Sequence, residues 1–253
     1  MTADHYLVPD WPAPANVRTA TSLRREGHSS GAYAAFNLGA HVGDDGDAVE
    51  ANRRQLAQEL QLPAEPQWLE QIHSDRIVEA HRDGLVRTAD AAFSREAGTI
   101  CAVLTADCLP LLLCDRAGTV VAAVHAGWRG LATGVIRNSV RALGCDPAEL
   151  LAWLGPAIGP EAFETGVDVL ELCFEHAMDS AHTERMAQCF RPHAAKPLHF
   201  LADIYGLARA ELESLGVSAI YGGNRCTFTE SGDFYSYRRD GVTGRMASLI
   251  WLT

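Results

Sequence analysis

Long hydrophobic runs are missing from this chain. No apolar stretch reaches the ~20 residues that a membrane-spanning helix needs, so no membrane partner is expected. The segment Met1 to Trp11, MTADHYLVPDW, shows no basic stretch leading into an apolar core, and no secretory signal is expected either. Positive charge is scarce. The formal net charge of −11 argues against the basic face that nonspecific nucleic-acid binding requires, while leaving room for a local site that takes a small anion. Neither the GxGxxG fingerprint nor GxxxxGK followed by Ser or Thr occurs; residues 39–46, GAHVGDDG, lack the lysine and the spacing. A disulfide framework is lacking too. The seven cysteines are odd in number and dispersed, and Cys101, Cys114 and Cys173 lie in apolar runs. They read as reduced thiols, which makes the cytoplasm the expected compartment.

What is present is an ordinary soluble composition: 47% hydrophobic and 21% charged over 253 residues, enough to bury a substantial core. No repeat, low-complexity tract or long linker divides it. Asp47–Leu60 reads as a helix, with Asp47 and Glu50 resembling a capping box and Val49, Leu56 and Leu60 on one face. Leu131–Leu143, stopped by Gly144, reads as a second helix, and Val167–Met178 and Asp203–Leu215 read likewise. Strands are expected at Ile77–Ala80, Ile100–Thr105, Leu109–Cys114, Val120–His125, Leu151–Leu154, Val217–Tyr221 and Met246–Leu252. Thr183–Pro197, polar and holding two prolines, reads as a long loop. Regular βαβ alternation is too sparse for a doubly wound sheet, and the pattern predicts an α+β fold with mixed strand pairing.

The stretch Cys101–Gly130, CAVLTADCLPLLLCDRAGTVVAAVHAGWRG, carries the most chemistry. Two apolar runs flank a turn read at Asp115–Gly118, with Cys108 on one arm and His125 at the end of the other. With a two-residue loop, paired positions sum to 233, which sets Cys108 directly opposite His125, Cβ atoms ~4.5–5.5 Å apart. A type I turn with a glycine bulge shifts the register by one and sends the two to opposite faces, unless Pro110 introduces a compensating irregularity.

His73, Cys108 and His125 together are a set of three zinc ligands that leaves a fourth position open, as catalytic sites do. A Cys108 nucleophile with a histidine base and no metal is a second arrangement, and a buried structural cysteine with two satisfied histidines is the plain one. Asp107, beside Cys108 in an apolar run, is costly to bury idle. His125–Gly130 reads as a strand-to-helix turn whose amides, with Arg129, suit an anion. Gly155–Pro160 reads as a rigid loop that shapes a pocket wall or turns the chain. Arg238, Arg239 and Arg245 cluster before the last strand, where an exposed salt-bridging face is the commoner explanation.

Phe36-Asn37-Leu38-Gly39 with Val42-Gly43-Asp44-Asp45, Asn52-Arg53, Gln71-Ile72-His73, Thr105-Ala106-Asp107-Cys108-Leu109-Pro110, His125-Ala126-Gly127-Trp128-Arg129-Gly130, Gly155–Gly159, Ser236–Arg239 and Thr243–Arg245 closely resemble, in order, the laccase-domain family. This is the multicopper polyphenol oxidase or purine nucleoside phosphorylase family, which includes the bacterial peptidoglycan editing factor. Two departures stand out: Arg25–Ser30, where the family shows a Gly-Gly-x-Ser-like segment, and Ser74 in place of a common glycine. The resemblance implies metal ligands at His73, Cys108 and His125. It also implies a single αββα-type layered domain over 1–253, related to the catalytic domain of cytotoxic necrotizing factor toxins.

The activity implied is zinc-associated phosphorolysis of adenosine, inosine and S-methyl-5'-thioadenosine, with adenosine deamination. Purine nucleoside and phosphate are then the small-molecule partners, with Zn2+ as cofactor and copper the weaker alternative. Cys108, His125 and Asp107 are the expected catalytic residues, and Asn37, Arg53, Arg129 and Arg238 the expected substrate contacts. A peptidoglycan-precursor hydrolase and a copper-dependent polyphenol oxidase are the alternatives. A blue and trinuclear copper oxidase needs more histidine ligands than one His/Cys/His set offers.

Overall fold

The structure, a computed structural model, describes residues 5–253. Four layers stack as helices, sheet, sheet, helix. The larger sheet has six strands in the order Ala219–Gly222, Leu150–Leu154, Leu109–Asp115, Val121–Ala126, Ala91–Ser94 and Ile77–Glu79. Its two outer pairs are parallel and the inner ones antiparallel. The second sheet orders Tyr6–Leu7, Val17–Ser22, Met246–Leu252 and Cys101–Thr105, all antiparallel.

Each layer follows from which side chains alternate along the strands. Leu109, Leu111 and Leu113 face a core shared with Val135, Ile136, Leu207 and Leu212 of the covering helices. Leu112 and Cys114 point the other way, onto Val103, Ile250 and Leu252 of the second sheet. That sheet's far face, with Ala102, Leu104 and Leu249, is covered by Leu56 and Leu60 at the helix Gly46–Glu59. A central strand buried on both faces needs apolar residues on both, which is why these strands read as continuous apolar runs without alternation.

The expected strands are present with shifts of one or two residues at their ends, Met246–Leu252 without any. Val17–Ser22 and Ala91–Ser94 were not expected. The helices differ more. The first is capped by the Asp45 carboxylate, which accepts from Asp47 N at 2.8 Å, two residues before the expected cap. The expected helix Leu131–Leu143 begins instead at Trp128 and is divided by Gly134, at φ 107, into Trp128–Thr133 and Val135–Leu143. The expected loop over 183–197 contains the end of a helix, Ser180–Ala187, and the strand Phe190–Pro192. Its polar composition hid them because few side chains, among them His182, Met186 and Phe190, are buried.

The hairpin register also departs from expectation. Leu109 pairs with Ala126, Pro110 with His125 and Cys114 with Val121, so paired positions sum to 235. The Asp115–Gly118 turn forms as read, Gly118 N donating to the Asp115 carbonyl at 3.1 Å, but the ladder closes two residues later at Val120, where the Asp115 carboxylate accepts hydrogen bonds from Thr119 N, Thr119 Oγ1 and Val120 N at 2.7, 2.6 and 3.1 Å. A slide of two residues leaves every side chain on its face. Cys108 therefore keeps to His125's side of the sheet but lies one step beyond the ladder, against Gly127.

Candidate functional site

Cys108 sits where the chain leaves one sheet for the other, between Cys101–Thr105 and Leu109–Asp115. Asp107 makes the crossing at φ 87, a left-handed conformation that asparagine and aspartate tolerate better than other side-chain-bearing residues. Three segments brace it. Its carboxylate accepts from Thr227 Oγ1 at 2.6 Å and from Arg238 N at 2.7 Å, and its carbonyl accepts from Ile158 N at 2.9 Å.

His125 and His73 are organised by a residue that the sequence reading passed over. Asp90 is fully buried, and its carboxylate accepts from His125 Nδ1 at 2.8 Å. It also accepts from the consecutive backbone amides of Ile72, His73 and Ser74 at 3.2, 2.9 and 2.6 Å, and from Ser74 Oγ at 2.7 Å. One carboxylate thus fixes the ring of one histidine and the loop that holds the other, in which His73 stands at φ 61. The signal in the sequence was a lone acid in Ala89-Asp90-Ala91-Ala92: a charge in an apolar run must find partners.

The three expected ligands converge. Cys108 Sγ lies 3.8 Å from His73 Nε2, and one ligand atom from each of His73, Cys108 and His125 falls within 4.8 Å of the others. The two imidazoles meet edge to face, centroids 4.9 Å apart. The space is reserved: a Cβ on Gly127 would come within 2.8 Å of His73 Cδ2 and 3.2 Å of Cys108 Sγ. Burial opposes ionisation of the Cys108 thiol, but the His125 charge and hydrogen bonds from both histidines outweigh it and bring the thiol down to about 6. Burial likewise opposes charge on His125, and the Cys108 thiolate with Asp90 raises it to about 9. A thiolate and two imidazoles, one held by a carboxylate on its far nitrogen, form a donor set that fits zinc. Among the described residues this is the only group of three or more His, Cys, Asp or Glu side chains placed to hold one ion.

Two chambers meet at this triad. The first, of about 280 Å³, is walled by Trp128, Ile158, Phe163 and Ile204, with Asp107 and Arg238 at its edge. The second, of about 360 Å³, is lined by the polar side chains of His41, Gln71, Thr105, His125 and Arg245 together with Leu104. His73, Cys108, Ala106 and Tyr237 border both. The loop Gly155–Pro160 supplies a pocket wall through Ile158.

Of the four expected substrate contacts, Arg238 lines a chamber. Asn37 is fully buried and bonded to Gly39, Asp44 and the Arg245 amide. Arg53 donates to the Leu38 carbonyl at 2.9 and 3.1 Å and stacks on Trp68. Arg129 is exposed and lies over the Trp128 ring, 4.2 Å from its centroid.

Residues 18–253 match the family described as multi-copper polyphenol oxidoreductase laccase. The chain belongs to that family. Within it, a purine nucleoside phosphorylase of Pseudomonas aeruginosa is 51% identical over 98% of both chains. The Escherichia coli purine nucleoside phosphorylase YfiH is 49% identical over 97% of this chain and 98% of its own. A Neisseria meningitidis protein of known structure superposes with a TM-score of 0.91 at 48% identity, covering 98% of this chain and 99% of its own. YlmD from Geobacillus stearothermophilus gives 0.89 at 29% identity over 100% and 97%. The oxidase in the family description and the phosphorylase in its members' names require different sites, and the described residues hold one three-ligand group.

Proposed function

We propose that this laccase-family chain is a purine nucleoside phosphorylase acting at His73, Cys108 and His125, on adenosine, inosine and S-methyl-5'-thioadenosine, with adenosine deamination as a second activity. One observation carries the reading: the triad borders both an aromatic, mostly apolar chamber and a second one lined by His41, Gln71, Thr105 and Arg245. A purine ring suits the first, where Trp128 and Phe163 offer flat apolar surface, and phosphate suits the second. The names of the relatives support it. In the reaction the C1′–N9 bond breaks with its electrons passing to the base, a phosphate oxygen bonds to C1′, and the base gains a proton on leaving.

His73, Cys108 and His125 would hold zinc, which when bound supplies a Lewis acid toward an electron-rich substrate atom. Asp90 keeps His125 in one tautomer and ring orientation. Both oxygens of Asp107 already accept hydrogen bonds, so its role in this scheme is to position Cys108 and the Tyr237–Asp240 turn. Tyr237, exposed and bordering both chambers, is placed to cover a bound nucleoside. Seven free cysteines support a cytoplasmic address.

Incubating protein of known zinc content with inosine and phosphate tests the proposal. Hypoxanthine and ribose 1-phosphate should form, and Cys108→Ala should abolish them. No product from zinc-loaded protein, with turnover of a peptidoglycan precursor or oxygen-consuming phenol oxidation instead, would replace the reading.

A further inference from the structure

We infer that the chamber lined by Arg245 is an oxyanion site in which Arg245, with His41 beside it, binds a phosphate group. Only the identity of its phosphate as the phosphorolysis co-substrate rests on the function proposed above.

Arg245 is a half-buried cation that forms no ion pair among the described residues. Among the described residues its guanidinium hydrogen-bonds the carbonyls of Thr243 and Gly244 alone, at 2.9 and 3.0 Å. Neighbouring arginines are neutralised: Arg239 pairs with Asp240 at 2.8 Å, and Arg225 with Glu230 and Asp233 at 2.6 and 2.9 Å. Cys108 and Asp107 are the acids whose charge is felt most at Arg245, and both carboxylate oxygens of Asp107 are already engaged. The His41 imidazole lines the wall, held below its usual titration range by burial, by Arg245 and Arg53, and by His125. The Arg245 guanidinium is thus left with no directly paired carboxylate among the described residues, and an anion in the chamber would complete it.

The cation is also deliberately seated. Asn37, fully buried, accepts from the Arg245 amide at 2.8 Å and the Gly39 amide at 2.9 Å. A Cβ on Gly39 would come within 2.8 Å of Arg245 Cγ, and one on Gly244 within 2.7 Å of the Tyr235 ring. Phe36–Gly39 and Thr243–Arg245, some two hundred residues apart in sequence, thus meet to hold one guanidinium toward a chamber bordered by the triad. A guanidinium fork matches a phosphate edge, and a neutral imidazole adds a single hydrogen-bond donor.

Isothermal titration of orthophosphate into wild type, Arg245→Gln, Arg245→Lys and His41→Asn, all at matched zinc content, tests the site. Arg245→Gln should bind phosphate about tenfold more weakly or worse, with Arg245→Lys recovering part of the loss. If Arg245→Gln does not fold, His41→Asn is the reading, expected to weaken binding a few-fold. A parallel titration with a purine nucleoside 5'-monophosphate separates the sources: whichever ligand binds tighter, with the same dependence on Arg245, names the phosphate. Equal binding by wild type and the folded variants, or no binding of either ligand by wild type, overturns the site. Arg245-dependent phosphate binding without nucleoside cleavage would keep the site and remove the phosphorolysis reading.

Discussion

Two buried aspartates, each in a Thr-Ala-Asp triplet, brace the triad in different ways. Asp90, in Thr88-Ala89-Asp90, gathers three backbone amides, a serine hydroxyl and the His125 ring. Asp107, in Thr105-Ala106-Asp107, ties one hydroxyl and one amide to the turn that carries Cys108. The same residue type in the same local sequence therefore has a large and a small structural load. Load follows the number of donors left stranded when the carboxylate is removed, not proximity in sequence to the reactive thiol.

The largest effect expected is that of Asp90→Ala. It strands four donors of the Ile72–Ser74 loop and the buried His125 ring, and should cost about 3–5 kcal/mol of folding stability. Because both histidines lose their anchor, zinc affinity should fall as well. Urea unfolding and metal titration check this; a variant with the wild-type midpoint and zinc content would break the comparison. Asp107→Asn should be milder. An amide keeps one acceptor and sets its NH2 against one of the two donors, a loss of about 1–2 kcal/mol with zinc still bound, read by the same two measurements. Equal losses for the two variants would erase the distinction.

Asp115 sharpens the contrast as a third buried aspartate, one whose partners lie in its own loop. Burial raises its pKa, and the Thr119 hydroxyl with the Thr119 and Val120 amides outweighs this and holds it below the usual carboxylate range. A depressed folded pKa stabilises at pH above the unfolded value of about 4 and is lost as pH falls through the folded one. Wild type should therefore lose more stability than Asp115→Asn between about pH 4 and pH 2. Parallel stability curves over that range would show that the loop does not favour the ionised form.

How much of this was legible varies with what fixes each feature. Long apolar runs marked the central strands because burial on two faces leaves no other choice of residue. The αββα layering and the three ligand positions followed from family resemblance, and the residues alone left the convergence open. The hairpin register was missed because the Asp115 side chain adds Thr119 to the loop after the backbone turn that the sequence did mark. Gly134 broke a helix that periodicity carried straight through. Asp90 escaped notice because its partners include backbone amides, and amides leave no trace in residue identity. Arg245 passed for a surface salt-bridge former until its neighbours proved to have the acids and it did not.

X-ray absorption at the zinc edge of purified, zinc-reconstituted protein tests the central claim most directly. One ion per chain should show a single sulfur at ~2.3 Å with nitrogen neighbours at ~2.0–2.1 Å, and Asp90→Ala should weaken its binding. An ion bound through oxygen and nitrogen without sulfur, or zinc retained unchanged in Cys108→Ala and His125→Ala, would contradict the account.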